Sequence, residues 1–146
     1  MEKSLILKEK FLDEFGLEEQ DLRTYSPLTL AYIGDAIFEL VVRTVLVERK
    51  NTQAEKLHKA ATKIVKAETQ ALMIEAIKEE LTEEELAVYK RGRNAKAVTR
   101  AKNATMSEYR RATGFEALMG YLYLKGDIAR MLELIHLGVE KAEVTL

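Results

Sequence analysis

Cysteine is absent from the chain, which excludes disulfides and thiolate metal sites and makes a reducing compartment the natural setting. Helix breakers are scarce. Proline occurs once, at Pro27, and glycine seven times in 146 residues, while charged residues make up 32%. A composition so poor in breakers and rich in Ala, Leu, Glu and Lys favours an all-α domain. Histidine occurs twice. His58 and His136 both lie among ordinary helix formers, and neither is assigned a catalytic role. Long apolar runs are missing as well. The opening MEKSLILKEKF is too short and too charged for a signal peptide. Residues 28–47 could span a bilayer by length, but Asp35, Glu39 and Arg43 interrupt them. The expectation is a soluble cytoplasmic protein of one domain, with no membrane partner.

Residues 26–50, SPLTLAYIGDAIFELVVRTVLVERK, are the stretch around which the rest is organised. Ser26 reads as an N-cap with proline at the first helical position, where the missing N–H costs nothing. Apolar residues then occur on every side of the helical wheel, so this helix is expected to be enclosed by the others. Asp35, Glu39 and Arg43 form one stripe at i, i+4, i+8, with Glu39 and Arg43 spaced as an ion pair. A carboxylate in the most apolar helix needs either a basic partner such as Arg43 or a bound cation.

On either side of this helix the pattern stays helical. An amphipathic helix over 4–15 stops at Gly16, and 17–25 form a short turn or polar connector. Thr52 with Glu55, and Thr82 with Glu85, match the capping-box spacing. Two helices are expected between 52 and 81, with an unmarked break near 66–68. Ser107 is the expected cap of a long helix ending at Gly126, in which Gly114 and Gly120 permit close approach of a neighbour. Glu116 sits on its apolar surface, either paired with Arg110, Arg111 or Lys125 or bound to a cation. Asp127 caps a last helix over 128–144.

Charge is strongly segregated although the formal net charge is only −1. Residues 90–111, KRGRNAKAVTRAKNATMSEYRR, hold eight Lys or Arg and one acid, Glu108. Such a segment, with short polar side chains among the cations, suits phosphate backbones. The competing reading is a solvated basic loop that answers the acidic blocks elsewhere.

Asp35 and Glu116 thus stand on the two most apolar helices, each beside a glycine-permitted close contact. If packing brings them together they repel unless a cation intervenes, and two hard oxygen donors suit magnesium.

YIGDAIFEL resembles the signature helix of the ribonuclease III catalytic domain, and GFEALMGYLYLKGD resembles that domain's second acidic motif. The resemblance runs from 28 to 137 with the motifs in the expected order. It is closest to the Mini-ribonuclease III subgroup of bacteria, whose Arg-Gly-Arg-Asn-Ala-Lys run stands here at 91–96. The resemblance implies a single ribonuclease III-type helical domain that dimerises, with two metal sites flanking a valley for double-stranded RNA. It implies a magnesium-dependent endoribonuclease, manganese able to substitute, that leaves a 5′ phosphate and a 3′ hydroxyl. Asp35 and Glu116 then fall on the metal-binding and catalytic positions. Two further acidic positions of the larger enzymes are occupied here by Ala31 and Thr113, so the metal shell has fewer protein oxygens. No double-stranded-RNA-binding domain follows, which leaves the grip on RNA to Arg91, Arg93, Asn94, Lys96 and Lys102. The implied substrate is the paired ends of large-subunit ribosomal RNA precursor, with a ribosomal protein as a candidate helper. The alternative, which Ala31 and Thr113 favour, is a non-catalytic RNA-binding or scaffold domain of the same fold.

Overall fold

The computed structural model describes residues 3–95 and 104–146, with side chains from residue 7 onward. Seven α-helices appear among them: α1 (Lys3–Phe15), α2 (Pro27–Arg49), α3 (Ala54–Val65), α4 (Ala67–Ile77), α5 (Glu83–Asn94), α6 (Met106–Lys125) and α7 (Ile128–Lys141). Short 3₁₀ turns at Leu22–Thr24 and Lys78–Glu80 complete the order, and no strand occurs among the described residues.

The helix ends follow local chemistry. Ser26 Oγ accepts from the Thr29 amide at 3.1 Å and Pro27 opens α2. At α5 a full capping box joins Thr82 and Glu85. For α6 the cap is Thr105, not the expected Ser107: Thr105 and Glu108 form the capping box, and Ser107 instead takes two hydrogen bonds from the Arg111 guanidinium. The Thr52 box does not form either; α3 begins after Gln53, which makes no side-chain cap. Gly16 and Gly126 adopt positive φ at the ends of α1 and α6, the conformation for which glycine is suited.

α2 and α6 make the most extensive helix pair, with α5 and α4 packed on α6. Their glycines set the spacing. A Cβ on Gly34 would lie 1.7 Å from the Glu116 carbonyl oxygen, and one on Gly120 would lie 1.9 Å from the Leu30 carbonyl oxygen. The two backbones therefore touch at this crossing. A second contact joins α5 to α6, where a Cβ on Gly92 would meet Gly114 Cα at 2.9 Å. Below these crossings lies one main core, in which Phe38 and Phe115 meet edge to face at 5.1 Å amid Tyr89, Met119, Leu122 and Leu134.

One buried ion pair fastens α7 to α5. Arg130 donates from Nε and Nη2 to the two Glu85 oxygens, each at 2.8 Å, and from Nη2 to the Glu80 carbonyl at 3.0 Å. The guanidinium holds the Glu85 carboxyl below the usual glutamate range against the opposing effect of burial.

The enclosure expected for α2 is only half realised. Leu30, Gly34, Phe38 and Val42 are buried, whereas Leu28, Tyr32 and Leu40 are exposed, Tyr32 to 82%. Asp35 lies on this uncovered side. A helical wheel reports apolarity, not what covers it.

Candidate active site

The Gly34–Gly120 crossing brings the two acids of the sequence motifs together. Asp35 follows Gly34 on α2, and Glu116 lies one helical turn before Gly120 on α6, its own carbonyl forming part of the crossing. Asp35 is exposed and Glu116 half-buried. Burial first, and then the charge of Asp35, push the Glu116 carboxyl up to about 8. Without a cation, the pair resists carrying two negative charges.

None of the expected basic partners neutralises them. Arg43 pairs with Glu39 at 3.4 Å, Arg111 with Glu75 at 3.7 Å and Lys125 with Glu84 at 3.6 Å. Among the described residues, no Lys or Arg forms a salt bridge to Asp35 or Glu116. The second contact to Glu116 is neutral: Gln70 of α4, 1% exposed, donates from Nε2 to Glu116 Oε2 at 3.2 Å and to the Val65 carbonyl at 2.7 Å. Sequence reasoning missed Gln70. Its signal was an amide in register with Ile74 and Ile77 on the inward face of α4, where an apolar residue would be expected.

The donor set fits a particular kind of ion. No group of three or more His, Cys, Asp or Glu converges among the described residues, so two carboxylates are what those residues offer here. Magnesium keeps several of its waters and binds through one or two carboxylates, which matches such a pair; an ion that needs a complete protein cage does not. Ala31 lies in a small apolar cluster with Leu30, Val88 and Ala117, well suited to a methyl group and not to a ligand. Thr113 is buried, and its hydroxyl donates to the Tyr109 carbonyl at 3.0 Å, so its proton is already committed.

Beside Glu116 opens a cleft of about 500 Å³, lined by Lys66, Glu68, Gln70, Tyr109 and Thr113 among others. A smaller depression of about 290 Å³ lies between α5 and α6, bordered by Arg93, Asn94, Ser107, Arg110 and Arg111. α5 continues through Asn94, which places Arg91, Arg93 and Asn94 on its last turn. Arg91 and Asn94 are exposed, and the Arg93 guanidinium lies 5.7 Å from the centre of the Tyr89 ring. Lys96 and Lys102 lie outside the described residues.

Residues 28–127 match the Ribonuclease III domain family, so the match takes in both acids and the crossing that joins them. The chain belongs to the ribonuclease III domain family. Among proteins similar to it are the Mini-ribonuclease 3 of Clostridium tetani, 45% identical over 94% of this chain and 91% of that protein, and the Mini-ribonuclease 3 of Thermoanaerobacter, 43% identical over 98% and 99%. A crystal structure of a Fusobacterium nucleatum protein superposes with a TM-score of 0.76 at 34% identity, covering 86% of this chain and 99% of the other. The ribonuclease III family is one of endoribonucleases, and the all-helical architecture expected from the sequence is the one found.

Proposed function

We propose that this protein is a divalent-metal-dependent endoribonuclease that cleaves double-stranded RNA, with Asp35 and Glu116 as its metal-binding and catalytic acids. The observation that carries the reading is the meeting of these two carboxylates at the Gly34–Gly120 crossing with no described cation to neutralise them. A bound magnesium supplies Lewis-acid stabilisation of the phosphoryl transition state and a more acidic water. Manganese is the expected substitute. In the reaction water adds to phosphorus and the bond from phosphorus to the 3′ oxygen breaks, which gives a 5′ phosphate and a 3′ hydroxyl. The chain's own part is to hold the ion through Asp35 and Glu116, to keep Glu116 oriented inside a half-buried wall, and to bring the duplex to that wall.

RNA duplexes are recognised through backbone and shape. Arg91, Arg93 and Asn94 on the end of α5, with Lys96 and Lys102 beyond it, are assigned to phosphate contacts. The Gly92–Gly114 contact fixes the end of α5 against the helix that carries Glu116, which gives the cationic surface a set relation to the acids.

The protein is proposed to act as a homodimer. Leu28, Tyr32 and Leu40 form an exposed apolar stripe on α2 that a monomer leaves wet, and Asp35 borders it. A twofold contact there would set two sites side by side, one for each strand. The proposed substrate is the paired ends of large-subunit ribosomal RNA precursor, with a ribosomal protein on the precursor as helper and the cytoplasm as the place of action. The absence of cysteine agrees with that compartment, and no helix among the described residues is long and apolar enough to cross a membrane.

End-labelled duplex RNA incubated with the protein, with and without magnesium, tests the reading. Magnesium-dependent cutting to 5′-phosphate products is expected. Binding without cutting under both conditions would replace it with a non-catalytic RNA-binding domain, the reading that Ala31 and Thr113 favour.

A further inference from the structure

The break between α3 and α4 falls at Lys66 with neither glycine nor proline to cause it. Two buried side chains of α4 stitch it. Thr69 Oγ1 donates to the Lys63 carbonyl at 2.6 Å, and Gln70 Nε2 donates to the Val65 carbonyl at 2.7 Å, so α3's terminal acceptors are taken up from α4. Thr69 does only this. Gln70 has a second amide hydrogen, and it goes to Glu116 Oε2 at 3.2 Å, on a helix 46 residues away in sequence.

The orientation of that amide is fixed by its partners. Nε2 faces two acceptors, so exchanging the amide nitrogen and oxygen would set oxygen against oxygen at both. Gln70 Oε1 is left buried with no hydrogen-bond partner. An apolar side chain of the same length would avoid that penalty and still fill the space, so packing does not account for an amide here. Beyond capping the Val65 carbonyl, the amide adds a neutral, directional hold on the Glu116 carboxyl.

We propose that Gln70 is a positioning residue of the nuclease site: anchored on the Val65 carbonyl at the α3–α4 elbow, its amide holds one oxygen of Glu116 and leaves the other for the divalent cation. This rests on the assignment of Asp35 and Glu116 as the metal-binding acids. A neutral donor suits the task better than lysine or arginine would, because it orients the carboxylate without supplying the charge that would displace the ion. Gln70 lines the cleft, but its Oε1 is buried and its amide hydrogens are taken by Val65 and Glu116, so it acts through Glu116. Partners of this kind typically govern metal affinity by about 10–100-fold.

The test is manganese binding to the full chain, by calorimetry and by the electron paramagnetic resonance of the bound ion, in Gln70→Met, Thr69→Val and Asp35→Asn. Gln70→Met is expected to weaken binding by about 10–100-fold, to lower kcat on duplex RNA at limiting manganese with recovery at high manganese, and to leave KM for RNA unchanged. Gln70→Asn, too short to reach both acceptors, is expected to act in the same direction and serves if the methionine variant does not fold. Thr69→Val removes the neighbouring stitch of the same elbow, and is expected to lower Tm while keeping the parent's manganese affinity. Parent-like binding in Gln70→Met, or an equal loss in Thr69→Val, would overturn the positioning role, the second because elbow packing alone would then explain it. If Asp35→Asn loses the ion while Gln70→Met keeps it, only this proposal fails. If Asp35→Asn also binds as the parent does, the assignment of the acids fails with it.

Discussion

Adding one methyl group at Gly34 should damage both stability and cutting. The Cβ of Gly34→Ala would stand 1.7 Å from the Glu116 carbonyl oxygen, half the 3.4 Å at which ordinary contact begins, and 2.8 Å from the Gly120 amide nitrogen. Both obstacles are backbone, so no rotamer change relieves them, and α2 and α6 must part by about 1–2 Å. Overpacking of this kind costs about 1–3 kcal/mol, against which the helix preference of alanine returns at most about 1 kcal/mol. For a domain of this size the net loss, about 0–3 kcal/mol, corresponds to a fall in Tm of up to about 10 °C. The same parting separates Asp35 from Glu116, and a displacement of about 1 Å at a reacting centre can cost about 100-fold in rate. Gly138→Ala is the control. There the nearest atoms are Met73 Cε at 3.2 Å and Cβ at 3.3 Å, on neither α2 nor α6, and a shift of a few tenths of an ångström relieves them, so stability should change by less than about 1 kcal/mol and cutting should be unaffected. Thermal melts and duplex-RNA cleavage on both variants make the comparison. A Gly34→Ala protein with the Tm and cutting rate of the parent would refute the backbone crossing as the device that unites the acids.

Arg130→Met should cost roughly 2–4 kcal/mol in denaturant unfolding, since it strands the buried Glu85 carboxylate, with some relief because Arg130 itself is 23% exposed. Because the folded-state pKa of Glu85 is depressed, its contribution is present in full above the unfolded glutamate value and is lost as pH falls through the folded one. The acid limb of the parent's stability curve should accordingly be steeper than that of Arg130→Met. Neutralising Arg91 and Arg93 together should weaken binding across duplex sequences and reduce the slope of log K against log salt by about one for each phosphate left without its cation; an unchanged slope would move the RNA surface elsewhere. Tyr32→Glu puts a charge on the exposed α2 stripe and should leave a folded monomer by sedimentation, whereas an unchanged oligomeric state would remove that stripe from the interface.

Signals confined to one turn of chain are legible in the sequence. Ser26 with Pro27, Glu85 three residues after Thr82, Gly126 and Asp127 each act on backbone groups within reach of their own side chain or φ, and each stands where the sequence predicts. At α6 the cap falls on Thr105 and not on the expected Ser107, because Glu108 closes a box with Thr105. Gly34 and Gly120 are legible as permission for close approach, but not as partners of each other, because pairing is a property of the packed helices. The exposure of Asp35 is beyond the wheel: apolar residues all round a helix do not distinguish burial within one chain from burial against a second. The α3–α4 break falls at Lys66, within the 66–68 window that the change of apolar phase predicts, but the part played by Gln70 is hidden for the same reason, since the acceptor at Val65 becomes available only once the elbow is bent.

A double-mutant cycle in the cleavage rate of duplex RNA, with Asp35→Asn, Glu116→Gln and the pair, addresses the shared ion most directly. If one cation is held by both acids, each single variant loses nearly all cutting and the pair loses little more, a strongly non-additive result. Losses that multiply, or a single variant that cuts as the parent does, would contradict a site built from these two carboxylates.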